Sequence, residues 1–261
     1  MKIGAQYPSI EHEQAAEATT EFFSAFPDVE AVILVGSCAR GKASLDSCLD
    51  ITILVAPESP VAKRSLLEQR WDDFYEKANI FKTLQKVGKY SHVDLSFIDG
   101  CFMPKPRDWT SGPDEFELEI GNALVYSVSL WERGDYLRRL KNEWLPYYNE
   151  VLRKERLNMV RLYCINNLDH IPLYVNRSLY FQAFDRLYNA FQEFLQALFI
   201  SRRIYPIAYD KWIREQIEEI LGIPELYKQL PKLFEIKNFE SKQIAEKTKL
   251  LCILFENYVK E

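Results

Sequence analysis

The chain has no block of Lys or Arg, only five cysteines among its 261 residues, and no apolar run approaching the roughly 18 residues that a membrane span needs. Each absence excludes something. With a net charge of −5 spread along its length, the chain lacks the long-range attraction that draws proteins to nucleic acid or anionic lipid, so neither a polynucleotide nor a membrane is expected as a partner. Cys38, Cys48, Cys101, Cys164 and Cys252 are odd in number and too scattered for a zinc site or a disulfide framework, which points to a reducing compartment. The stretch Met1 to Gln6 has no apolar core of a signal peptide, and the cytoplasm is the expected location. Two common phosphate motifs are also missing. No Gly-x-Gly-x-x-Gly occurs, and Gly41-Lys42-Ala43 lacks the preceding glycine and the following Ser or Thr of a P-loop.

What is present suffices for a substantial core, since 48% of residues are hydrophobic and 27% charged. Ser9 reads as a helix cap, and Ala15, Ala18, Phe22, Phe23 and Phe26 recur at helical spacing until Pro27. Ala31 to Val35 and Leu49 to Val55 read as buried strands, with an amphipathic helix from Ser65 to Ala78 after them. Val93 to Ile98 alternates with period two before Asp99-Gly100 turns the chain, and Ala123 to Tyr126 is read as a fourth strand. Cys101 to Pro113, with its prolines, is expected as a loop over the sheet. From Tyr136 the sequence is helical in period: Leu179, Phe184, Leu187, Phe191, Phe194 and Leu198 form one stripe, and Pro206, Pro224 and Pro231 separate helices. The expected fold is α+β, a small mixed sheet with flanking helices over residues 1–130 and a helical bundle over 131–261.

The chemistry-bearing segment is Gly36-Ser37-Cys38-Ala39-Arg40-Gly41, followed after a short spacing by Ser47-Cys48-Leu49-Asp50-Ile51 and later by Val93-Asp94-Leu95. Residues two apart on a strand share a face, so positions 48 and 50 aim at one point, which a neighbouring strand carrying Asp94 can join. This pattern resembles the polymerase-beta-like nucleotidyltransferases. In that family Gly-Ser opens a turn after the first strand, and a Ser-Asp-x-Asp string begins the second. The segment Glu119 to Tyr126 and the helical tail also look like the small-substrate branch, the kanamycin-type and lincosamide-type enzymes. The resemblance implies a nucleoside triphosphate held by Gly36, Ser37, Arg40 and Ser47, with Mg2+ or Mn2+ on Asp50 and Asp94. It implies transfer of a nucleoside monophosphate, from ATP as the expected donor, to a hydroxyl of a small-molecule acceptor.

Cys48 departs from the pattern, standing where the family has an aspartate. Magnesium wants oxygen, and a thiol is soft and mostly neutral at pH 7. Asp46 shares the parity of Cys48 and offers a carboxylate through a bulge, or else caps a turn. His92 is read as facing the opposite side of its strand from Asp94. Arg202-Arg203 and Lys211-Trp212 resemble a segment near the nucleotide cleft of small-substrate relatives, but the helix dipole accounts for basic residues at a helix end, and they stay outside the expected site. An alternative to the enzyme is a nucleotide-binding pseudoenzyme acting through a protein partner, with homodimerisation left open. An antitoxin-like member modifying a protein is disfavoured by the long helical tail.

Overall fold

A computed structural model of the chain describes residues 3–58 and 61–260; Met1 and Lys2, the start of the stretch read for a signal peptide, lie outside them. The architecture is α+β, with a mixed four-stranded sheet and flanking helices in one unit and helices in the other. The two compact units are Met1–Phe102 with Asn122–Glu143 and Met103–Gly121 with Trp144–Glu261. Sequence patterning drew a single boundary at 130, whereas the chain passes between the units at 102, 121 and 143.

In the first unit Ser9 caps α1 (Ile10–Ser24) by accepting the His12 N–H, and α1 buries Ala15, Ala16 and Phe23. β1 (Val29–Leu34) runs into a single helical turn, α2 (Gly36–Arg40), where a simple bend was expected; Gly41 ends it in the left-handed conformation at φ 67°. β2 (Leu49–Val55) follows, then α3 (Val61–Lys77), a second short helix α4 (Asn79–Leu84) that the periodicity did not reveal, and β3 (Val93–Ile98). The helices form the crossover that a parallel β2–β3 pair requires. Leu49, Ile51, Ile53 and Val55 of β2 join Phe23, Trp71 and Phe81 in one core. Alternation therefore turns Asp50 and Thr52 to the other face.

The fourth strand is not where it was expected. After α5 (Phe116–Ile120), Gly121–Val125 forms a π-helical turn, and β4 is Val128–Glu132, antiparallel to β1 at the end of a sheet ordered β3-β2-β1-β4. Ala123 to Tyr126 is apolar because Ala123, Leu124 and Tyr126 are buried, a demand that helix and strand satisfy alike over so short a run. α6 (Tyr136–Trp144) follows, with the Tyr136 hydroxyl donating to the Asp99 carbonyl at 2.6 Å.

Cys101 to Pro113 lacks regular structure as expected, but from Met103 it belongs to the helical unit and not to the unit of the sheet. Its side chains explain this. Arg107 Nη2 donates to Glu193 at 2.8 Å, and the Trp109 ring meets Tyr163 at 4.6 Å. The unit is built on α7 (Glu150–Asn176) and α8 (Tyr180–Arg202), followed by short α9 (Ile213–Glu215) and α10 (Pro224–Tyr227) and by α11 (Gln243–Tyr258). Leu187, Phe191, Phe194 and Leu198 share a core with Val160, Cys164 and Ile171 of α7 and Leu251 and Leu254 of α11. Leu179, read as part of that stripe, instead precedes α8 and is 42% exposed.

Candidate functional site

Asp50 and Asp94 are register partners across the parallel β2–β3 pair, on the face opposite the Leu49 and Ile51 core. Asp50 is partly buried and Asp94 is open to solvent. The Asp50 side chain lies against Gly36: a Cβ on that glycine would stand 2.0 Å from Asp50 Oδ2. Gly36 also sits at φ +65°, where an L side chain is strained, so two independent constraints call for glycine here. The two acids and the end of β1 thus form one corner, as the motif predicts.

Cys48 shares that corner. Its Sγ donates to Asp50 Oδ1 at 2.9 Å. Burial, that hydrogen bond and the charges of Asp50 and Asp94 push its thiol pKa up to about 12, so it is a neutral donor at physiological pH. Behind it Cys38 is buried, and its thiol is likewise pushed up to about 12, by burial and then by the Asp50 charge. Alkylation of Cys48 at pH 8 is therefore expected to run on the order of a hundredfold or more slower than that of an ordinary thiol. Peptide mapping by mass spectrometry after timed iodoacetamide treatment checks this; labelling of Cys48 ahead of exposed Cys101 would contradict it. The folded chain keeps protons on Cys38 and Cys48 that the unfolded chain releases near pH 8.5, so stability is full below that pH and falls as pH rises toward about 12.

The other residues assigned from the motif brace the corner. Arg40 is 3% exposed, and its Nη1 donates to the Gly36 carbonyl at 2.8 Å, one turn back. Ser37 is buried, and its carbonyl accepts the N–H of Lys42 at 2.9 Å. Ser47 Oγ accepts the Ser44 N–H at 2.9 Å, closing the turn ahead of β2. Asp46 is exposed, and its Oδ1 accepts the Lys89 N–H at 2.8 Å, so its carboxylate tethers the loop before β3 across 43 positions of sequence rather than capping its own turn. His92 precedes β3 in a bend and is exposed, its carbonyl accepting the Leu49 N–H at 2.8 Å; two residues before Asp94 it has the same parity as that acid, not the opposite one.

Two features escaped the sequence reading. Thr52 and Ser96 are the next register pair on the same face, with their hydroxyls 2.8 Å apart, extending the polar stripe beside the acids. Their even-numbered positions on β2 and β3 were the available signal. His12, fully buried, lies 3.1 Å from the Ser47 carbonyl through Nε2 and 2.9 Å from Ser9 Oγ through Nδ1, tying α1 to the loop before β2. Only the tertiary fold brings residues 35 positions apart together.

The donor set decides what cation fits. Among the described residues no group of three or more His, Cys, Asp or Glu side chains is placed to hold a metal ion. Magnesium accompanying a nucleotide needs only one or two carboxylates, the rest of its shell being phosphate and water, and the Asp50–Asp94 pair fits that role. A second, all-protein position does not fit, because the Cys48 thiol is a protonated donor.

No family model matches the chain, and no curated protein matches it. Among solved structures it resembles a nucleotidyltransferase-like protein from Exiguobacterium sibiricum 255-15, with 15% identity and a TM-score of 0.43, covering 95% of this chain and 75% of that one. A likeness at that level decides nothing about the chemistry of this chain. No helix among the described residues is long and apolar enough to cross a membrane.

Proposed function

We propose that the chain is a nucleotidyltransferase that moves a nucleoside monophosphate from a nucleoside triphosphate, ATP by preference, to a hydroxyl of a small molecule. The observation that carries this is the register pairing of Asp50 with Asp94 and the seating of Asp50 against Gly36. Asp50 and Asp94 would hold one Mg2+ or Mn2+, which supplies charge neutralisation for the triphosphate when bound. Gly36 leaves room for the Asp50 carboxylate, and the backbone N–H groups of Gly36 and Ser37 would receive phosphate oxygens brought to that carboxylate. Asp94, the more exposed acid, is the group able to accept the proton of the incoming hydroxyl on a carboxylate oxygen. Arg40 and Ser47 act by holding the loops in place.

Cys48 favours a second reading, a nucleotide-binding pseudoenzyme, because its thiol occupies an oxygen of Asp50 where a further carboxylate would complete the site. One set of measurements separates them. MgATP is expected to raise the melting temperature of the native chain by mass action, and Asp50→Asn is expected to abolish the rise. Pyrophosphate release with α-labelled nucleotides across an acceptor panel is then compared with Cys48→Asp. Turnover by the native chain supports the enzyme, and turnover by the variant alone supports the pseudoenzyme. No nucleotide binding in either protein rejects both.

A further inference from the structure

We infer that the helical unit carries a ligand site of its own, an anion-binding groove of about 500 Å³ at the start of α7 that takes a phosphorylated small molecule. The inference does not rest on the nucleotidyltransferase reading. The cations Arg153, Lys154 and Arg203 line the groove, and Glu150 is the carboxylate among its lining residues. Leu157, one turn beyond Arg153 on the same helix face, supplies an apolar wall. Glu150 cannot neutralise this set. Hydrogen bonds from Arg203 and then Arg153 hold its carboxyl down to about 2, so it already bears its full charge at neutral pH and still leaves the cations in excess.

Arg153 is the informative residue. Its side chain is 2% exposed, and its Nε donates to Glu150 at 2.9 Å, yet Nη1 has no hydrogen-bond partner. A buried guanidinium nitrogen without an acceptor is costly, because the lost hydration is not replaced, and Arg153 is the arginine so placed that also lines this groove. A second arginine, Arg203, bonds Glu150 at 2.6 Å from a half-exposed position. The buried Arg153 guanidinium with its unfilled donor, and the half-exposed Arg203 beside it, match the tetrahedral oxygens of a phosphoryl group, which accepts several charge-assisted bonds at once. The groove is larger than one inorganic ion and falls in the size range of small-molecule sites, so the ligand carries a body as well as a phosphate.

The test is calorimetric titration of the full chain with inorganic phosphate and pyrophosphate in EDTA, so that a cation-dependent nucleotide site does not contribute. Sodium chloride at matched ionic strength is the control. Saturable binding is expected, with pyrophosphate the tighter of the two. Arg153→Gln is expected to weaken pyrophosphate at least tenfold, and Lys154→Gln, at an exposed position that does not bear on folding, about threefold. Should Arg153→Gln fail to fold, Lys154→Gln decides the matter. Binding no stronger than the salt control, or equal affinity in native chain and Lys154→Gln, would overturn the proposal.

Discussion

Arg156→Met is expected to destabilise the helical unit by about 3–5 kcal/mol, the cost of stranding buried carboxylates when the cation paired with both is removed. Arg156 is 3% exposed and donates to Asp114 at 2.6 and 3.0 Å and to Glu117 at 2.5 and 2.7 Å. Burial works against its charge, and the two carboxylates more than offset this, raising its pKa. Gln196 Nε2 bonds both acids at 2.9 Å, and the Tyr148 hydroxyl bonds Glu117 at 2.7 Å, so the acids have no route to water. Removing Arg156 leaves two buried negative charges, which must protonate or tear the helices apart. Thermal unfolding followed by circular dichroism should show the transition fall by roughly 10 °C. Combining Arg156→Met with Asp114→Asn and Glu117→Gln should recover most of the loss, since removing a buried charge set together is often close to neutral. A single variant as stable as the native chain would show that the network contributes nothing.

Gly36→Ala is expected to abolish the melting-temperature rise with MgATP while costing about 1–2 kcal/mol from the left-handed backbone alone. The larger effect is local. A methyl group placed 2.0 Å from Asp50 Oδ2 must expel that carboxylate, because Asp50 is anchored in a strand paired on both sides. Its bond to Cys48 at 2.9 Å and its alignment with Asp94 go with it. Gly222 provides the control, having the same φ of +65° but nothing within 4 Å of its would-be Cβ. Gly222→Ala should therefore show the backbone cost without any change in nucleotide response. If both variants respond to MgATP like the native chain, the corner at Gly36 is not the nucleotide site.

Local chemistry alone determined much of this protein. β2 and β3 fall at Leu49–Val55 and Val93–Ile98 as read, because β-branched and alternating runs bounded by turn residues leave few alternatives. α1 begins after Ser9 because a hydroxyl there satisfies an otherwise orphaned N–H. That Gly36, Asp50 and Asp94 would meet was implied by the resemblance of their motif to the nucleotidyltransferases, strand parity supplying only that alternate residues share a face. Tertiary structure decided the rest. The apolar run at Ala123 became a π turn rather than a strand, since burial of so short a run says nothing of backbone shape. Met103 to Gly121 joined the helical unit because Arg107 and Asp114 find partners on α7 and α8 some 40 to 90 residues away in sequence. Arg40 turned inward to its own loop and Asp46 to Lys89, choices set by which acceptors and donors the packed chain brings within 3 Å, and periodicity carries no record of those.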